Sequence, residues 1–369
     1  MNNNHKIPAL VLGVTEKKED YFKSLDSLEE LSLLGDTAGY ETVLKIIHNR
    51  RRIDPAYYIG EGKAREIKKL IAQRKVEAIL LDFELTPVQL RNLENLLKSR
   101  VISRTELILN IFEKRAKTKE AKLQVELASL TYTLPRLRRM WTHLNRMDGM
   151  IGTRGPGEKQ LEIDRRRALQ RISRIKKQLE HVKTHREVIR KKRRSMNRVA
   201  LVGYTNAGKS SLLNRLSHSA LFTENRLFAT LDPATREVWV GNGQKVLITD
   251  TVGFIRRLPH TLIASFRATL EEVRESELLL HVVDISRDDI VEKIEAVKDV
   301  LEEISADKLP VLYVFNKIDL LKSRNVKGSI LSRFPDHVCV SAKTGEGIDD
   351  LKKALLNFFT PVKKANVLG

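Results

Sequence analysis

The stretch "RVALVGYTNAGKSSLLNRL", Arg198 to Leu216, decides the fold. An apolar run of strand length passes into Gly-x-x-x-x-Gly-Lys-Ser, Gly203 to Ser210, and directly into a helical pattern. This is a phosphate loop in the strand–loop–helix context its chemistry requires. Glycines let backbone N–H groups approach phosphate oxygens, and the helix N-terminus adds favourable partial charge. Lys209 would meet the β- and γ-oxygens, and Ser210 would coordinate Mg²⁺. Gly203, Tyr204, Thr205, Asn206, Ala207, Gly208, Lys209, Ser210 and Ser211 are therefore candidate nucleotide-binding residues.

A phosphate loop alone does not choose the base. That choice comes from "NKID", Asn316, Lys317, Ile318 and Asp319, after the buried-strand pattern "VLYVF". A carboxylate there accepts two hydrogen bonds from guanine N1 and N2, a pair of donors that adenine lacks, so the spacing implies GTP. Further on, "CVSAKTGEG" places Ser341, Ala342 and Lys343 after another short strand, where a backbone N–H would meet guanine O6.

Between these motifs lie "LFATLDPATR", with Phe228, Ala229, Thr230, Leu231 and Asp232, and "DTVG", with Asp250, Thr251, Val252 and Gly253. Thr230 would close on Mg²⁺ in a switch loop, Asp250 would hold Mg²⁺ through water, and the Gly253 N–H would sense the γ-phosphate. Lys209, Thr230 and Gly253 are the candidate catalytic groups, and Ser210, Thr230 and Asp250 the candidate metal ligands. The next residue is Phe254, where a water-orienting glutamine is often found. A phenyl ring cannot orient water by hydrogen bonding, so slow hydrolysis by the free enzyme and external stimulation are expected. In related switches such stimulation reaches about 10⁵-fold.

At 369 residues the chain has room for two or three domains. The single cysteine, Cys339, cannot form an internal disulfide, and "MNNNHKIPAL" lacks the pattern of a signal peptide, so a cytosolic setting is expected. No apolar segment approaches the roughly 20 residues that span a bilayer. The formal charge of +20 is concentrated: residues 1–104 hold 18 Lys/Arg against 15 Asp/Glu, residues 105–198 hold 26 against 10, and residues 199–369 hold 23 against 22.

Residues 1–104 alternate apolar runs such as "PALVLGV" and "VEAILLDF" with amphipathic runs such as "AREIKKLIAQR" and "TPVQLRNLENLL", the pattern of a small parallel α/β domain. The stretch "IGEGKARE" lacks the full phosphate-loop spacing and reads as a loop entering a helix. In residues 105–198, Leu123, Leu127, Leu130, Leu134, Leu137, Trp141 and Leu144 alternate spacings of four and three, a heptad seam. Leu161, Ala168, Ile175, Val182 and Ile189 recur every seven residues, so a second long helix would lie antiparallel against the first. Pro135 predicts a kink or interruption in the first helix. The glycines and proline of "DGMIGTRGPGEKQLE" predict a non-helical connector with Arg154 at its tip. The fold class expected is thus α/β: an N-terminal parallel α/β domain (1–104), a long antiparallel helical hairpin (105–198) and a P-loop GTPase domain (199–369).

The net +16 on the hairpin, densest at "DRRRALQRISRIKK" and "RKKRRSMNR", suits a polyanion held through its phosphates. Lys159, Arg165, Arg166 and Arg167, with Arg154, are the candidate RNA contacts. Asn206 raises a further option, since some GTPases with asparagine at this position use it to hold K⁺.

Nearly the whole chain resembles the HflX GTPases, on "YIGEGKAREI", "GTRGPGEKQLEIDRRR", "GYTNAGKSSLLNRL", "LFATLDPATR" and "DTVGFI". The resemblance implies binding to the large ribosomal subunit and its rRNA, with the hairpin tip towards the peptidyl-transferase region. It also implies that the GTPase domain is Ras-like and that the protein splits stalled or idle ribosomes in a GTP-dependent way; separately, a monomer is expected. Some members carry a further C-terminal domain, whereas this chain ends at "TPVKKANVLG". Without the resemblance, two other readings stand: a GTP-gated RNA chaperone acting outside the ribosome, and a signalling switch with a protein effector. ATP binding at the N-terminal domain is also left open.

Overall fold

The computed structural model describes residues 6–15, 21–50, 52–147, 156–191, 196–217, 227–257, 262, 267–321 and 328–360, with side chains left out at 137–147, 156–161, 183–191, 267–269 and 329. The chain forms two compact units, Met1–Glu180 and His181–Gly369.

In the first unit, β1 (Ile7–Thr15), β2 (Tyr40–Asn49), β3 (Ala78–Leu81) and β4 (Arg100–Ser103) form a sheet in the order β2-β1-β3-β4, with every pairing parallel. Ala9 to Leu12 and Ala78 to Leu81 are buried on both faces, which is why these strands read as continuous apolar runs and not as alternating ones. The crossovers are α1 (Tyr21–Ala38), α2 (Glu61–Arg74) and α3 (Pro87–Leu97), and α4 (Arg104–Arg115) follows β4. The stretch "IGEGKARE" is the entry to α2: Gly60 sits at the N-cap with φ +84, where a Cβ would run into the Arg50 guanidinium. Thr86 caps α3 reciprocally with Gln89.

Two long helices follow, α5 (Lys119–Met147) and α6 (Pro156–Lys191). Both depart from expectation in detail. The helix α5 runs through Pro135 without interruption. The residues on either side are held to Glu84 beyond β3: the Tyr132 hydroxyl donates to Glu84 Oε2 at 2.9 Å and Arg136 Nη2 donates to the same oxygen at 2.5 Å. Tertiary anchoring thus offsets the one backbone bond that proline removes. The second difference concerns the connector, because α6 already begins at Pro156, so "PGEKQLE" is helical. Proline at a first helical position loses an N–H that has no intrahelical partner anyway. Residues 148–155, Arg154 among them, lie outside the described residues.

The deepest face of α5 is Ala121, Gln124, Val125 and Ala128, spaced three, one and three, by which it packs on α3 and α4. Of the predicted seam residues, Leu123 is buried and Leu127, Leu130 and Leu134 are half-buried. On α6 likewise, Ile175 is fully buried and Ala168, Ile172, Leu179 and Val182 are half-buried among exposed charged neighbours. Arg171 joins the helices with a two-pronged pair to Glu126, at 2.6 and 2.7 Å.

In the second unit a six-stranded sheet has the order β10-β9-β8-β5-β7-β6, from β5 (Asn197–Val202), β6 (Ala234–Gly241), β7 (Gln244–Asp250), β8 (Leu278–Asp284), β9 (Val311–Asn316) and β10 (His337–Cys339). Only β6 is antiparallel. Helices α7 (Lys209–Ser217) and Ile348–Phe359 pack on one core with Val199, Leu201, Val246, Ile248, Leu280 and Val282. The strand registers place Leu201 opposite Asp250 and Asp284 opposite Asn316, so the C-terminal ends of β5, β7, β8 and β9 open at one edge of the sheet. Ligands bind at that edge in open α/β sheets.

Candidate nucleotide site

The phosphate loop is shaped by its neighbours. Gly203 has φ +148 and a Cβ there would lie 2.3 Å from the Val282 carbonyl oxygen. Gly208 has φ +95 and its Cβ would meet Asn316 Nδ2 at 2.2 Å. Only glycine fits either place. Lys209, the first residue of α7, is buried and folds back so that Nζ donates to the Gly203 and Tyr204 carbonyl oxygens, both at 3.0 Å. Burial pushes its ammonium down to about 8, against the opposing pull of Asp250.

Ser210, Thr230 and Asp250 come together at the mouth of the loop. Ser210 Oγ donates to Asp250 Oδ2 at 2.6 Å and lies 2.7 Å from Thr230 Oγ1 in a second hydrogen bond. Asp250 is fully buried, which raises its carboxyl above the ordinary range, while Lys209 acts to lower it. Two hydroxyls and a carboxylate converging from a helix, a loop and a strand form a hard oxygen donor set of the kind Mg²⁺ takes beside phosphates. Among the described residues no cluster of His, Cys, Asp and Glu offers a different metal site.

The segment after β7 is bolted to the phosphate loop by its backbone. Phe254 N donates to Gly203 O at 3.1 Å, and Thr205 N donates to Phe254 O at 2.8 Å. The Tyr204 hydroxyl accepts the Arg256 N–H at 2.8 Å, and Arg256 pairs with Asp289 and Glu292. Gly253 is pressed so closely that a Cβ would lie 2.9 Å from Thr205 Cα and 3.0 Å from Lys209 Nζ. The Phe254 ring is 1 % exposed and belongs to the core. Its backbone serves the site and its ring does not face it.

The base loops meet the phosphate loop from the other side. Asn316 Nδ2 donates to Ala207 O at 2.9 Å and its Oδ1 accepts the Ala342 N–H at 3.0 Å. Ser341 Oγ donates to Asp319 Oδ1 at 2.6 Å and accepts the Thr344 N–H at 3.1 Å. Lys317 Nζ donates to Asn206 O at 2.8 Å. Tight turns carry these contacts, with φ +68 at Lys317 and +62 at Asn206.

One cleft is lined by Asn206, Gly208, Lys209, Ser210, Ser211, Phe228, Ala229, Thr230, Thr251 and Gly253, so three sequence-distant motifs share it. The side chains of Leu231 and Val252 are buried in the core, leaving only their backbone for a ligand, and Lys343 is exposed. Arg165, Arg166 and Arg167 are exposed on α6, and Lys159 lies in the same helix. Reasoning from sequence missed Asp284, whose Oδ2 takes Lys317 Nζ at 2.7 Å. Its one signal was an acidic residue closing "LLLHVVD" just as Asn316 closes "VLYVFN". It also missed the Tyr204 hydroxyl, which no spacing rule marks.

A mostly parallel sheet with a phosphate loop after its central strand, and with the segments that follow β7, β9 and β10 gathered round that loop, is the arrangement of a P-loop GTPase. Three family models match in succession: GTP-binding GTPase N-terminal over residues 25–113, GTP-binding GTPase Middle Region over 115–193, and 50S ribosome-binding GTPase over 198–317. GTPase HflX of Lacrimispora saccharolytica is 49% identical over 346 residues, covering 93% of this chain and 80% of that one. GTPase HflX of Escherichia coli is 47% identical over 336 residues, covering 90% and 79%. The chain belongs to the HflX GTPase family. A solved complex of SsGBP with GDP shares the fold, with a TM-score of 0.52 at 24% identity, over 95% of this chain and 98% of that one.

Proposed function

We propose that this GTPase binds the large ribosomal subunit and uses GTP binding and hydrolysis to split or rescue stalled or idle ribosomes in the cytoplasm, acting as a monomer. The observation that carries the reading is that one chain holds both a nucleotide cleft and exposed basic residues along α6, with a GTPase domain that matches the model described as 50S ribosome-binding GTPase. The parts would divide the work: residues 1–104 and the arm at 105–198 would grip the ribosome, with Arg154, Lys159, Arg165, Arg166 and Arg167 on rRNA phosphates. Residues 199–369 would hold GTP or GDP. No helix among the described residues is long and apolar enough to cross a membrane.

Lys209 would leave the carbonyls of Gly203 and Tyr204 for the β- and γ-phosphates, whose charge favours its protonated form. Ser210 and Thr230 would hold Mg²⁺ directly and Asp250 through water; when bound, the ion stabilises charge on the phosphate oxygens. The Gly253 N–H would follow the γ-phosphate. Asn206, which lines the cleft, is the proposed contact for K⁺, a neutral oxygen donor suited to a monovalent cation. The Phe254 ring offers no hydrogen bond and is buried, so water must be positioned by the ribosome or by loop closure, and unstimulated turnover is slow.

The test is co-sedimentation with purified subunits in a non-hydrolysable GTP analogue, followed by light scattering of intact ribosomes with GTP. Binding to the large subunit and a fall in scattering are expected. Binding to free duplex RNA but not to subunits would replace this reading with the RNA chaperone.

A further inference from the structure

We propose that Asp284 is a positioning residue for guanine nucleotide binding, acting through Lys317 on both the base loop and the phosphate loop. The inference rests on the guanine reading of "NKID". The register of β8 and β9 sets Asp284 opposite Asn316, so the next residue along, Lys317, reaches its carboxylate at 2.7 Å. The other carboxylate oxygen is held by Ser286, whose N–H donates at 3.1 Å and whose hydroxyl donates at 2.6 Å. Asp284 therefore has one orientation, and in it presents a fixed negative charge to one ammonium.

That ammonium also donates to the Asn206 carbonyl at 2.8 Å. Lys317 and Asn206 both hold left-handed backbone, φ +68 and +62, which costs non-glycine residues free energy and persists only where neighbours impose it. One ion pair thus ties together the two turns that face base and phosphates. Asn206 N–H and Asn316 are adjacent to it in chain, so loosening it would let both loops relax before ligand arrives. Asp284 does not line the cleft; its effect is on how much ordering the nucleotide must supply.

The experiment compares Asp284→Asn, Lys317→Met and the double variant, each as the full chain, by titration with fluorescent GDP and by steady-state GTP hydrolysis. A charge-assisted contact of this kind contributes about tenfold in affinity, so Asp284→Asn should raise Kd for GDP and KM for GTP about tenfold, with kcat falling less than about twofold. The double variant should bind no worse than Lys317→Met alone. Ser286→Ala, which removes the hydroxyl donor to the carboxylate and leaves the backbone one, should lose about threefold in Kd, and serves if Asp284→Asn fails to fold. Additive losses in the double variant, or unchanged Kd in Asp284→Asn and Ser286→Ala, would overturn the proposal. Asp319→Asn separates this from the reading beneath it: that variant should lose GDP and gain xanthosine diphosphate binding, and if it binds GDP like the parent the guanine assignment itself is wrong.

Discussion

The two sheets of this protein are built alike and end differently. Each has parallel strands covered by helices, and each places charged residues where strands end. At the end of β3 and β4 in the first unit, Asp82 and Arg104 are buried and paired at 2.7 Å, with Glu30 on the same guanidinium and Ser27 Oγ at 3.4 Å. At the end of β5 and β7 in the second unit, Lys209 is equally buried but its hydrogen bonds go to two neutral carbonyls. The first edge satisfies its charges internally and is closed. The second keeps a cation without a carboxylate on its nitrogen, beside a cleft and a set of hard oxygens. Function in this fold class follows from which charges are left for a ligand, not from the sheet.

The sharpest way to break that comparison is Arg104→Met. If the first edge is structural, removing the guanidinium strands the buried Asp82 and the half-buried Glu30 and should destabilise the chain by about 3–5 kcal/mol in denaturant unfolding, while Kd for GDP in the folded protein stays within about twofold. A loss of nucleotide binding without loss of stability would mean the two edges are not so different.

Phe254→Ala comes next. Its ring is fully buried, so the deletion should cost about 3–5 kcal/mol and lower the thermal midpoint. The milder Phe254→Leu should keep the fold and leave single-turnover GTP hydrolysis within about threefold, because no catalytic hydrogen bond is removed. An unstimulated parent rate near one per second that collapses in Phe254→Leu would give the ring a role in hydrolysis.

The Lys209 comparison is sharpened by pH. Its pKa of about 8 in this arrangement means the ammonium deprotonates as pH rises through 8, whereas bound phosphates would favour the charged form. Nucleotide affinity should hold below pH 8 and fall by up to about tenfold per unit above it, with proton uptake on binding seen by calorimetry in buffers of different ionisation heat. The sign for folding is opposite. A lysine whose native pKa lies below its unfolded value makes the ligand-free protein more stable, through this group, as pH rises from about 8 towards the unfolded value near 10.4. Affinity that is flat to pH 9.5 would show that Lys209 is not the phosphate contact.

The smallest effect belongs to the arm. Changing Arg165, Arg166 and Arg167 to glutamate alters exposed side chains, so stability should move by less than about 0.5 kcal/mol and unstimulated GTP hydrolysis should not change measurably. Ribosome binding should weaken and its salt dependence flatten by up to about three units of slope, read by co-sedimentation across a salt series.

Local spacing was enough for a large part of this. The phosphate loop, "NKID", "SAK" and "DTVG" are runs whose chemistry depends on backbone within a few residues, and each stands at a strand end as their flanking apolar runs imply. The parallel sheets and the long helices follow from apolar periodicity in the same way. What spacing does not carry is the partner across the fold. Pro135 reads as a break, and only the Glu84 contacts on both sides of it explain a continuous helix. Phe254 reads as a missing catalytic glutamine, and only packing shows the ring in the core with its backbone holding Gly203 and Thr205. Asp284 reads as the end of a strand until the register with β9 sets it against Lys317, because a contact between residues 33 apart is decided by how strands pair and not by what stands next to them.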